Sequence, residues 1–211
     1  MQSRQRLRGH LLDATALITE TFLRGGTVLA AGNGGSAAQA SHLAAELVGR
    51  FRLPNRPGLP VVALTTDSSI LTAWANDVGW DDVFARGVEA LGRRGDVLVG
   101  ISTSGRSPNL VRAFEAARER GVRTLALLGR DGGDLLALAD VALVVPSGDT
   151  QAIQDAHSTI VHVLCELVER RLNDAGAFER RSGRADARDG ESTTGSRREP
   201  HSAIDGLAVT R

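Results

Sequence analysis

Val97-Leu98-Val99-Gly100-Ile101-Ser102-Thr103-Ser104-Gly105-Arg106-Ser107-Pro108 decides the fold. Its first five residues are apolar without alternation, the pattern of a strand buried on both faces and therefore of a parallel sheet covered by helices. Four hydroxyls and a glycine then fill six residues, and Pro108 suits the first position of a helix. The same strand–loop–helix unit recurs on both sides. Upstream, Thr27–Ala31 (TVLAA) is a short strand broken by Gly32-Asn33-Gly34-Gly35, with a helix over Ser36–Arg50. Val61–Thr65 (VVALT) is the next strand, and Ser68–Ala75 and Trp80–Leu91 read as helical. Downstream, a helix runs to about Arg120, and strands Thr124–Leu128 (TLALL) and Val141–Val145 (VALVV) flank a short helix. A long amphipathic helix covers Thr150–Leu172, and at the start of the chain Leu7, Leu11, Ala14, Ile18 and Phe22 form one helical stripe that Gly25-Gly26 stops. The expected fold is α/β: a five-stranded parallel sheet with helices on both faces.

From Ala175 the pattern dissolves. Residues 179–200 alternate charges with Gly and Ser, so the expected organisation is one domain over residues 1–175 and a disordered tail over 176–211. Ala203–Val209 is a short apolar stretch within that tail, and no internal repeat is present.

The 211 residues contain 25 Lys+Arg and 25 Asp+Glu, so no basic stripe for nucleic acid is present. Aromatics are 3% and Tyr is absent, which also argues against a base-stacking surface. With 42% hydrophobic residues the chain can build a real core, yet no apolar stretch is long enough for a membrane span. Cys165 is the only cysteine and no leader pattern precedes the first helix, so the expected location is the cytoplasm.

In parallel sheets ligands bind beyond the carboxyl ends of the strands, where connections change direction. This points to the loops after the first and third strands. Ser102, Thr103, Ser104 and Ser107 offer donors at a helix N-terminus, whose free N–H groups and dipole suit a phosphate. A capped turn would need only one hydroxyl, Ser107. Gly32–Ser36 allows close approach of a ligand to backbone, although Ser36-Ala37-Ala38-Gln39 also has the form of a capping box. No dinucleotide fingerprint completes it. His42 and Glu46, four apart, leave one helix face and suit a shared metal ion, proton transfer or a surface pair. Gln154 and His162 are eight apart, roughly 12 Å on a straight helix. Either that helix is irregular or the two residues serve different ends of a site. His157 lies off their line and reads as structural. Asn76-Asp77 falls at a helix end before Gly79, and Arg50 closes the second helix.

Taken in order and spacing, Gly32–Ser36 (GNGGS), Ser41–Arg50 (SHLAAELVGR), Ala75–Val78 (ANDV), Gly100–Ser107 (GISTSGRS) and Ile153–His162 (IQDAHSTIVH) resemble the phosphoheptose (sedoheptulose 7-phosphate) isomerases of the sugar-isomerase (SIS) domain superfamily. The likeness runs from about Thr27 to Leu172. It implies a flavodoxin-like strand order, a homotetramer with active sites between subunits, and interconversion of a ketose and an aldose phosphate. It further implies that Asn33, Gly34, Gly35 and Ser36 line the sugar, that Ser102, Thr103, Ser104 and Ser107 hold its phosphate, and that Asn76, Asp77 and Gln154 contact the substrate. His42, Glu46, Gln154 and His162 would hold one Zn2+ per subunit, with Glu46 as base and His162 returning or relaying a proton. Ligand and base roles for Glu46 compete.

The sequence departs from the family in three places. The stretch before the first glycine loop is short, so part of the N-terminal packing region is expected to be absent. Arg106 stands where a small or polar residue is expected, and the tail has no counterpart. A rival reading is a non-catalytic interaction protein of the same fold, like the relative that binds the replication initiator DnaA. That relative lacks counterparts of Glu46 and His162, and this chain has both. A sugar-phosphate-sensing regulatory domain or an isomerase of another ketose phosphate are the remaining alternatives.

Overall fold

A computed structural model of the chain describes residues 2–179, with side chains over 8–179. Helix α1 (Gln2–Leu23) leads into β1 (Val28–Gly32), α2 (Gly35–Val48), β2 (Val61–Ala63) and α3 (Ser68–Asp77). A 3-10 turn at Trp80–Asp82 precedes α4 (Val83–Leu91), β3 (Val97–Ser102) and α5 (Pro108–Arg120). The chain continues through β4 (Arg123–Gly129), α6 (Leu135–Leu138), β5 (Val141–Val145) and α7 (Thr150–Asp174). The five strands form one parallel sheet in the order β2-β1-β3-β4-β5, the flavodoxin-like order that the resemblance implies.

Why the strands read as unbroken apolar runs is visible in their packing. Val28, Ala30, Val97, Val99, Ile101, Leu125 and Leu127 face a core closed by α1, α2 and α7. The alternate residues Leu29, Ala31, Leu98, Ala126 and Leu128 face a second core closed by α4, α5 and α6. Both faces are therefore dry, and the period of two is hidden because each face wants the same residue types. At the lower edge the buried Asp96 accepts the Thr27 and Arg93 N–H groups, both at 2.8 Å, and so ties β1 to β3 at the start of their pairing.

The predicted elements are recovered with shifts of one or two residues at most ends. The expected helix over Trp80–Leu91 is split by the 3-10 turn, and β2 stops at Ala63, where the Thr66 hydroxyl turns back to donate to the Ala63 carbonyl at 3.0 Å. The capping box at Ser36–Gln39 does not form. Gly34 occupies the cap position without a side-chain bond, and Gln39 turns instead toward α7. In the stretch expected to be a tail, Phe178 is buried in the first core, so packing extends at least that far. The rest of that stretch, 180–211, with the apolar Ala203–Val209, lies outside the described residues, as does the side chain of Leu7. Among the described residues no helix is long and apolar enough to cross a membrane. Cys165 packs inside α7, where burial foremost pushes its thiol pKa up to about 12.

His157 bolts α7 to the sheet: fully buried, its Nε2 lies 3.1 Å from the Leu128 carbonyl, which an N–H there satisfies. Burial pushes the imidazole pKa down, and the Leu128 contact only partly opposes it. The unfolded chain therefore binds a proton that the folded chain refuses, and stability must fall as pH drops below the unfolded value of about 6.5. Urea unfolding between pH 7.5 and 5.5 should show this slope, at most about 1.4 kcal/mol per pH unit from this group. His157→Gln, which retains a donor but does not titrate, should flatten it.

Candidate active site

Beyond the C-terminal ends of β1 and β3 the chain makes two loops, each feeding a helix. After β1, Gly34 adopts φ +55° and caps α2, a backbone state costly for any residue with a Cβ. Gly35 lets α7 approach closely: a Cβ there would meet the side-chain amide of Gln154, which would have to turn aside. Ser36 is buried in the first turn. After β3, Ser102 is buried, and its Oγ accepts the Gly105 N–H at 3.0 Å while lying 3.3 Å from Ser107 Oγ and 3.5 Å from Ser104 Oγ. Thr103 is half-buried beside them. Ser107 holds the cap position of α5, yet its hydroxyl makes no cap bond and turns to Ser102 instead. The plain capped turn is thus not what these hydroxyls build. The Arg106 guanidinium donates to the Ser104 carbonyl at 3.1 Å and grips Asp131 through two bonds of 2.9 and 2.6 Å. That hydrogen bond, with one from the Gly133 N–H, lowers the Asp131 pKa to about 2.

Helices α2 and α7 run side by side in the same direction, and their contacts step along both. Gln154 meets Gly35; Gln39 donates to the Gln154 carbonyl at 2.6 Å and to Ser158 at 3.1 Å; His42 meets His162. A groove of about 310 Å³ lies along this seam, bordered by Gly35, Gln39, His42, Gln154, Asp155 and Ser158. Where His42 borders it, Glu46 and His162 converge on the same imidazole. His42 Nε2 is 3.0 Å from His162 Nε2 and 3.1 Å from Glu46 Oε1, and the three ligand atoms lie within 4.8 Å of one another. Four-coordinate zinc with bonds of about 2.0–2.1 Å spaces its ligands about 3.3 Å apart, so two imidazoles and a carboxylate in this geometry fit such an ion. Since α7 is one continuous helix, Gln154, beside Gly35, and His162, beside His42, lie at different points along the α2–α7 seam. Asn76 and Asp77 sit exposed at the end of α3 and bond to each other at 2.8 Å, apart from these groups. Arg50 is exposed after α2.

The SIS domain family model matches residues 2–129. The phosphoheptose isomerase of Pelobacter propionicus is 58% identical over 162 residues, covering 77% of this chain and 85% of that one. The chain belongs to the SIS-domain family, among its phosphoheptose isomerases. Solved structures of phosphoheptose isomerases from Neisseria gonorrhoeae and Francisella tularensis superpose on this family member with TM-scores of 0.73 and 0.75, at 44% and 35% identity. Each match covers 80% of this chain and 92% of the other.

Several residues of this phosphoheptose isomerase fold carry no motif signal. Asn109, buried in the first turn of α5, forms a reciprocal amide pair with Asn33, with both bonds at 2.9 Å. It joins the glycine loop to the hydroxyl loop. Gln39 was visible only as a capping residue, and Asp131 not at all. Asn109→Ala would leave the Asn33 amide half-satisfied in a partly buried crevice, a cost of about 1–3 kcal/mol. Urea denaturation of Asn33→Ala, Asn109→Ala and the double variant should give a clearly non-additive cycle. Simple additivity would mean that the pair does not couple the loops.

Proposed function

We propose that the chain converts D-sedoheptulose 7-phosphate to D-glycero-D-manno-heptose 7-phosphate in the cytoplasm, through an enediol. The observation that carries this is the convergence of His42, Glu46 and His162 at one end of a groove whose other end is a glycine loop. Family membership supplies the reaction class, and the residue types suit it. Isomerisation removes a proton from C1 of the ketose and delivers one to C2, while the O1 hydroxyl gives up its proton to become the aldehyde carbonyl and O2 gains one to become a hydroxyl. Glu46 is the base at carbon and His162 the relay at oxygen. Ser102, Thr103, Ser104 and Ser107 hold the phosphate at the N-terminus of α5. Asn33, Gly34, Gly35 and Ser36 line the sugar, with Gln154, Asn76 and Asp77 as further contacts.

One Zn2+ per subunit would be held by His42, Glu46 and His162, with Gln154, at the other end of the seam, able to join them only from a neighbouring subunit, and when bound it would supply a Lewis acid for the carbonyl oxygen. The rest falls to the protein: the groove orients C1 toward Glu46, and the loops keep the phosphate fixed while protons move. We further propose a homotetramer with sites between subunits. Supporting this, α3 buries none of its residues within the chain, and Ile70, Val78 and Trp80 are each at least 50% exposed. The same face ends in Asn76 and Asp77, where a neighbouring subunit would meet them.

Incubation with sedoheptulose 7-phosphate in deuterated water, followed by NMR, tests the reading. The expected result is an aldose carrying deuterium at C2, absent with His162→Ala. Glu46→Gln should be at least about 10²-fold slower, the usual scale of a lost general base. A Glu46→Gln enzyme at near wild-type rate would remove that residue as the base. No turnover of any ketose phosphate with zinc present would remove the isomerase.

A further inference from the structure

The isomerase reading leaves unused the most deeply buried ion pair among the described residues. Arg56 Nε donates to Glu169 Oε1 at 2.5 Å, and both side chains are 1% exposed. Burying two charges costs several kcal/mol per ion, and the attraction offsets this only when the remaining donors and acceptors are also satisfied. Here they are. Arg56 Nη2 donates to the Glu46 carbonyl at 2.7 Å, and Nη1 to the Leu47 and Pro57 carbonyls at 2.9 and 3.0 Å. Glu169 accepts the Arg52 and Leu53 N–H groups at 2.8 and 2.9 Å and that of Phe51 at 3.3 Å.

These partners are specific to the site. The guanidinium takes carbonyls that the last turn of α2 leaves open, and one belongs to Glu46 itself. The carboxylate draws the segment 51–53 onto α7, which sets the Phe51 ring against His162 with centroids 5.8 Å apart and planes at 26°. One buried pair thus fixes the backbone of one functional side chain and the packing of another, across 113 residues of sequence. An apolar pair of similar volume would stabilise the fold as well or better, but would hold neither carbonyl nor loop.

We propose that Arg56 and Glu169 are positioning residues for the isomerase site, holding Glu46 and His162 in register from beneath; the proposal rests on the reading of those two side chains given above. The full-length protein is compared with Arg56→Met/Glu169→Leu, which removes both charges and should fold, and with Phe51→Leu, which alters only the half-buried ring. Tetrahedral Co2+ absorption, kcat and KM, and histidine-ring NMR signals of the metal-free protein are read alongside thermal melting. In the double variant, kcat and Co2+ affinity should each fall about 10–100-fold, the scale seen when groups orienting a ligand are lost. KM should change less than about threefold because the hydroxyl loop is untouched. The ring signals of His42 and His162 should move, and Phe51→Leu should shift that of His162. Wild-type kcat, Co2+ affinity and ring signals in the folded double variant would overturn the proposal. If the double variant does not fold, unchanged values in Phe51→Leu and in the conservative Glu169→Gln would do so. A wild-type protein without turnover or tetrahedral Co2+ whose ring signals still respond would instead overturn the isomerase reading and leave the positioning role standing.

Discussion

The site depends on one constraint: β1 and β3 are adjacent, parallel and in register to their ends, with Gly32 beside Ile101. From those ends the chain leaves in opposite directions, into α2 on one face and α5 on the other. A crevice must open where neighbouring strands diverge in this way, and both helix N-termini point at it. The tolerance is small. A Cβ on Gly32 would lie 2.7 Å from the Ser36 backbone and 3.0 Å from the Ile101 carbonyl, so the glycine loop and the neighbouring strand touch directly. Asn33 and Asn109 then join the two loops across the gap.

The second layer of organisation is the seam of α2 and α7. Apolar packing alone, with Leu43 and Leu47 against Val161, Leu164 and Val168, would bring these helices together at many registers. Polar contacts choose one. Gln39 needs a carbonyl on α7, and Glu169 needs the N–H groups of residues 51–53. These are directional and costly to leave unmade, so they discriminate between registers in a way that leucines cannot. The convergence of His42, Glu46 and His162 is the result.

The loops around the crevice are braced differently. The hydroxyl loop packs backbone to backbone on the loop after β4, where Leu135 N–H donates to the Gly105 carbonyl at 3.0 Å. Arg106 and Asp131 span the same two loops on the solvent side. Arg106, a departure from the family pattern, therefore ties loop to loop. Exposed pairs of this kind contribute little to stability, so the backbone contact is the main brace.

Much of this was legible in the sequence. The five apolar runs, the hydroxyl loop before Pro108, the glycine loop and the i,i+4 pair His42–Glu46 all depend on short-range chemistry: period, capacity to donate, and helical geometry. Those rules act within one turn or one loop, and single segments display them. The strand order came from likeness to a family, because five similar apolar runs do not state their own neighbours. The grouping of His42 with His162 likewise came from that likeness; what only the tertiary structure decided are other pairings over long separations, Asn33 with Asn109 and Arg56 with Glu169. Gln39 shows why. Its local option was a capping box, but its Nε2 donates instead to a carbonyl and a hydroxyl on α7, partners 115 and 119 residues away that no local pattern announces. Sequence specifies which groups need partners, and packing alone decides which of them arrive within 3 Å of one another.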